Sequence, residues 1–248
     1  MKTWIGGAAA AGIGVAGTAA LIVSSLGGPI AQAVVAVVLA ALAGIGWPFF
    51  LGIPAKKTNG TILAIAGAAA GISAASVAGP EFLFWTPAAI AFGVMAVTIV
   101  QLIRGTGQSH RLESALGASA GVLLCCLGAG WIATARLTGT GSMLIVAGIS
   151  TAVALLVGAI NWPDTIVAPL AIVFAGLAAP LAALVLTDIS VIPATIAGAL
   201  IGAVLAAVRR LNRTRSRPMP PAGLMALALA PVLAVGSLAY FIDKLLLY

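Results

Sequence analysis

Residues 29–51 read PIAQAVVAVVLAALAGIGWPFFL, a nearly unbroken apolar run without one charged side chain. About 20 such residues are needed to cross the hydrocarbon of a bilayer as a helix. Lipid cannot satisfy backbone polar groups, so a run of this kind must close its hydrogen bonds on itself. The composition extends that reading to the whole chain. Hydrophobic residues make up 62% of the 248 positions and charged residues only 7%, against roughly 25% charged in an ordinary soluble domain. Mean hydropathy is +1.21. Alternating strand patterns are absent, which excludes a β-barrel, and the fold class expected is an all-α polytopic membrane protein.

Polar punctuation divides the chain into about nine transmembrane helices, near 5–26, 29–51, 60–77, 85–103, 115–135, 143–161, 165–186, 191–208 and 222–240. The first turnaround is the weakest, because only Gly27, Gly28 and Pro29 interrupt the apolar run there. Lys2, the apolar stretch after it and the cleavage-like Ala31-Gln32-Ala33 imitate a signal peptide. The run is too long for one, and it is read as the first span.

Within residues 29–54 the segment Trp47 to Pro54 spells WPFFLGIP, and 115 residues later Trp162 to Pro169 spells WPDTIVAP. A second correspondence, at an offset of 106, matches Pro87, Ala88, Ile90, Ala91 and Arg104 to Pro193, Ala194, Ile196, Ala197 and Arg210. At the same offset Gly117, Ala120, Leu123, Leu127, Gly130 and Ala133 equal Gly223, Ala226, Leu229, Leu233, Gly236 and Ala239. Those positions step by 3 or 4 and so share one helical face. The organisation expected is one leading helix (1–28) followed by two parallel four-helix repeats, 29–136 and 137–248, related by an axis along the membrane normal. The change of offset places nine extra residues in the first repeat, around the loop AKKTNG.

With the N-terminus in the cytoplasm, ten cations fall inside and only Arg136 and Lys244 outside, as the positive-inside rule requires. This predicts a multi-pass protein of the cell membrane with its C-terminus outside. The basic segment carrying Arg209, Arg210, Arg213, Arg215 and Arg217 then reads as a cytoplasmic loop attracting anionic lipid. No aromatic residue interleaves these arginines, so nucleic acid is not an expected partner, whereas the lipid bilayer is one and another membrane protein is a possible one.

Candidate site residues follow from punctuation that the bilayer makes costly. Trp47, Pro48, Trp162 and Pro163 end or bend their spans. Asp164 replaces Phe49 within the repeated motif, and Pro180 and Pro231 lie inside spans seven and nine where the first repeat has Ala74 and Cys125. These prolines predict bends in spans seven and nine, with spans three and five straighter. Substrate binding or gating is therefore assigned to Trp47, Pro48, Trp162, Pro163, Asp164 and Pro180, with Glu81 and Asp188 as a second acidic pair. Asp243 is placed near the outer surface, and no span carries an acid at its centre.

Catalytic and cofactor chemistry has no visible residues: Cys125 and Cys126 read as packing residues, and His110 lacks neighbours to complete a metal site. The expectation is a non-enzymatic protein without cofactor or metal. The function expected is a small permease or flippase moving an organic solute or lipid-linked molecule between the repeats. The alternative is a non-transporting scaffold or accessory subunit of an envelope-assembly or transport complex.

Overall fold

Gly28 resolves the ambiguous first turnaround. Its φ of +91° is open to glycine and strained for other residues, and it separates α1 (Lys2–Leu26) from α2 (Pro29–Leu51). Pro29 then occupies the first position of α2, where its missing N–H costs nothing. The computed structural model describes residues 2–104, 111–137, 139, 141–213 and 220–246, with side chains except those of 2–6, 111 and 211–213. The remaining helices are α3 (Lys56–Ser76), α4 (Thr86–Ile103), α5 (Arg111–Leu127), α6 (Ala129–Leu137), α7 (Ser142–Gly158), α8 (Asp164–Leu186), α9 (Val191–Arg213) and α10 (Pro221–Leu246). No strand occurs among the described residues. Counting α5 and α6 as one span, eight segments are long and apolar enough to cross a membrane, and α7 is a shorter ninth.

The two W-P segments are not structurally equivalent, contrary to the expectation. Pro48 lies inside the last turn of α2, which continues to Leu51 and stops only at Gly52, left-handed at φ +71°, whose N–H bonds to the Pro48 carbonyl. Trp162 instead follows the end of α7, and Pro163 immediately precedes α8. Pro48 has no N–H to give the Gly44 carbonyl, so α2 continues past it with one helical hydrogen bond fewer. The extra residues of the first half are not a longer loop either. The connections 52–55 and 159–163 are similar in length, and Lys56 to Gly60 of AKKTNG form the first turn of α3.

The one interruption of a described span lies away from the mid-span prolines. α8 runs without interruption through Pro169 and Pro180, and α10 through Pro231. Span five is the one divided, at Gly128, where a turn joins α5 to α6. A Cβ on Gly128 would lie 2.7 Å from the Leu233 side chain of α10, and the backbones of α6 and α10 come closest two residues further on, at Gly130.

α10 is the axis of the molecule: 78% of its apolar segment is buried, against 22% for α4. It packs against α1, α2, α5, α6, α7 and α9, whereas α8 packs against α7 and α9. Small residues make these approaches possible. Gly198 and Gly202 of α9 meet the backbone of α8 at Ala175 and Ala171, and Gly46 of α2 meets Ala222 and Ala226 of α10. In lipid, where association rests on dispersion and close backbone contact, such stripes hold helices together. The converse pattern lies outside: Ile30, Val34, Val38, Leu42 and Ile45 form an exposed apolar stripe along α2. Apolar residues outside and Gly and Ala inside fit a bilayer as the solvent.

Candidate binding pocket at one end of the bundle

The residues singled out in the sequence are distributed, not gathered. Trp47 is half-buried; its Nε1 donates to the Gly117 carbonyl at 2.8 Å, and Phe50 packs beside it. Gly121, one turn further along α5, leaves the space that its indole occupies. Pro48 is buried, Trp162 and Pro163 are exposed, and Pro180 is half-buried within α8. Asp164 opens α8 and forms an ion pair with Arg209 of α9 at 2.6 Å, while the same guanidinium donates to the Ile160 carbonyl at 2.8 Å. Arg209 thereby ties the end of α7 and the start of α8 to α9. Trp47 and Pro48 are thus held against α5, and the Trp162 to Asp164 turn against α9, so these residues line no common cavity. Arg210, the neighbouring cation, is exposed; Arg215, Arg217 and the side chain of Arg213 lie outside the described residues.

The polar pocket lies elsewhere, at the end of the bundle that carries the α1–α2 turn. It has a volume of about 560 Å³, and its lining includes Ser25, Gly28, Pro29, Gln32, Phe82 and Arg136. Each part is held by a different element. Arg136, in the last turn of α6, donates from Nη1 to the Ala74 carbonyl at 2.6 Å and stacks over the Phe82 ring at 4.5 Å. No carboxylate pairs with it among the described residues. Tyr240 of α10 donates its hydroxyl to the Pro80 carbonyl at 2.9 Å, which fixes the α3–α4 loop forming one wall.

Gln32, one turn into α2, is fully buried. The Ser24 hydroxyl lies 2.5 Å from its Oε1 and 2.9 Å from the Leu21 carbonyl. Ser24 has a single proton to place between these two oxygens. The Gln32 amide nitrogen has no partner. A buried amide without a hydrogen bond costs on the order of 1–3 kcal/mol, which marks it as a group awaiting an acceptor.

Asp243 departs from its expected placement. It sits near the same end of α10 but is fully buried, and neither carboxylate oxygen has a partner. It follows Ile242, which packs with Met143 of α7 and Ala197 of α9.

Both pocket side chains left a trace in the sequence. Gln32 interrupts an apolar run, and Arg136 is one of two cations on the wrong side of the charge asymmetry. Each carried a bland reading, as part of a cleavage-like triplet and as an exception to a rule. Compared with known proteins, the chain matches no family model, no curated protein and no solved structure. Fold and pocket together define the class: an all-helical protein, among the described residues, with eight or nine helices long and apolar enough to span a membrane and a polar recess at one end of the bundle.

Proposed function

We propose that this protein is a small permease or flippase of the cell membrane, carrying an organic solute or lipid-linked molecule, with the pocket as its outward mouth. The observation that carries the reading is the recess of about 560 Å³ with Gln32 and Arg136 in its lining. Its size falls in the range of about 300–1,000 Å³ usual for small-molecule sites. The charge asymmetry supports an N-terminus inside and this mouth outside. At the opposite end Gly46 packs against Ala222 and Ala226, so the arrangement is open on one side and closed on the other. Asp243, enclosed and unpartnered, is the acid best suited to couple movement to a cation, since intramembrane ionisable residues usually mark function.

The duplication is part of the proposal. Gly130 and Gly236 are matched positions, and they meet where α6 crosses α10. The end of α2 touches the start of both spans, Trp47 at Gly117 of α5 and Gly46 at Ala222 of α10, which supports a parallel run of the two. The hydrogen bonds across them are nearly reciprocal: Trp131 Nε1 donates to the Val232 carbonyl and Ser237 Oγ to the Leu127 carbonyl, each at 2.8 Å. This supports two units of the same orientation meeting through their last helices. The units have diverged: α3 packs against α5, whereas the pairing of α7 with α9 has no counterpart between α2 and α4.

A scaffold role has one observation in its favour, the tight glycine packing of α10 against both α2 and α6. Accessibility separates the two readings. Ala226→Cys, buried at the closed end, should react with a maleimide from the cytoplasmic side, and a bulky adduct on Ser25→Cys at the mouth should slow that reaction. An Ala226→Cys that never reacts would transfer the assignment to a scaffold.

A further inference from the structure

We infer that the pocket binds a phosphate-type oxyanion, as a free phosphorylated solute or as a lipid headgroup. The inference rests on the proposed reading of the pocket as the substrate mouth, and it names the substrate class.

Two helices, α6 and α2, present donors there, and no described carboxylate lines the recess. Arg136 has five N–H donors, of which the Ala74 carbonyl takes one. Its charge has no acidic partner among the described residues. A planar guanidinium with free N–H groups matches two oxygens of a phosphate at once. Gln32 supplies an enclosed amide nitrogen with no partner. The start of α2 adds to the local field: Gly28 gives no side-chain cap, and Gly28 and Pro29 line the pocket, so the positive end of the helix dipole lies beside it.

Donors arriving from both α6 and α2, beside the positive end of the α2 dipole, suit an anion whose oxygens point in several directions. A tetrahedral phosphate fits better than a planar carboxylate. Phe82 and Pro29 form an apolar wall beside these donors, against which the organic part of the ligand can lie. The space exceeds what a bare phosphate ion needs, which favours a phosphate ester or diphosphate.

The test uses Ser25→Cys in the full chain, purified in maltoside micelles that carry no phosphate. Cys125 and Cys126 are buried and give little background. Labelling by a charged maleimide is timed with sodium pyrophosphate, with phosphatidic acid doped into the micelles, and with sodium chloride at equal ionic strength. Protection by pyrophosphate alone identifies a water-soluble ligand, and protection by phosphatidic acid alone a lipid headgroup; either supports the inference. In Gln32→Leu and Arg136→Gln the protection should weaken by roughly tenfold or more, the scale of a lost charge-assisted hydrogen bond. Gln32→Leu keeps the volume and removes an unpartnered amide, so it should remain folded and monodisperse while losing binding. A reactive cysteine protected by neither phosphate, or equally by chloride, overturns the oxyanion and leaves an open pocket standing. A cysteine that never reacts removes the pocket itself.

Discussion

Replacing Gly236 by alanine should damage the protein far more than its single added methyl suggests. The new Cβ would lie 2.5 Å from Trp131 Cδ1, 2.7 Å from the Trp131 backbone nitrogen and 2.9 Å from Trp131 Cγ. Carbon contacts settle near 3.5 Å, so α6 and α10 must part by roughly 1 Å. A backbone atom cannot rotate away, and Trp131 is fully buried, so no side-chain adjustment absorbs the strain. Overpacking of this kind costs about 1–3 kcal/mol. Parting the helices also stretches the 2.8 Å bond from Trp131 Nε1 to the Val232 carbonyl, and an indole N–H left buried without an acceptor costs about 1–3 kcal/mol more. Alanine's helix propensity returns about 1 kcal/mol. The net is a destabilisation of about 1–5 kcal/mol, centred near 3. Unfolding by added sodium dodecyl sulfate, followed by circular dichroism, measures it. Gly12→Ala is the control, since nothing lies within 4 Å of its added methyl, and it should be neutral or stabilising. Trp131→Phe combined with Gly236→Ala should be less than additive, because both remove the same hydrogen bond. Equal midpoints for Gly236→Ala and Gly12→Ala would refute the close α6–α10 crossing.

Asp243→Leu should raise the unfolding midpoint in the same assay, by about 1–3 kcal/mol, because it removes a buried polar group without partners; a lowered midpoint would mean that the carboxyl is satisfied in the folded protein. Asp164 and Arg209 are partly exposed, with side-chain accessibilities of 28% and 14%, so solvent screens their ion pair. A double-mutant cycle of Asp164→Asn and Arg209→Gln should yield a coupling of about 0.5–1 kcal/mol, and a coupling indistinguishable from zero would remove the staple between α8 and α9.

The solvent and the helices were legible in the sequence because both depend on local composition. A bilayer requires long apolar runs, and Gly28, Gly52 and Pro163 stop or start helices through their own backbone preferences; the spans expected at 29–51 and 165–186 accordingly meet α2 and α8 to within one residue. Local composition also misled, since the shared spelling of Trp47-Pro48 and Trp162-Pro163 says nothing about which side of a helix end each pair occupies. The helices run on through Pro180 and Pro231, whereas span five is interrupted at Gly128, a position with no distinguishing signal in so glycine-rich a chain.

The pocket was beyond the reach of sequence for the same reason. Gln32 and Arg136 are 104 positions apart, and only the packing of α2, α6 and the α3–α4 loop brings them to one recess. Whether Gln32 has a partner, whether Arg136 meets an acid and whether Asp243 reaches solvent are questions about neighbours distant along the chain. Asp164 makes the point in reverse: its charge stood out in the sequence, and the fold supplied Arg209 to occupy it. Composition determines where a helix must form, because backbone hydrogen bonds close within the segment; the tertiary structure decides which polar groups are left unsatisfied, because their partners come from other helices.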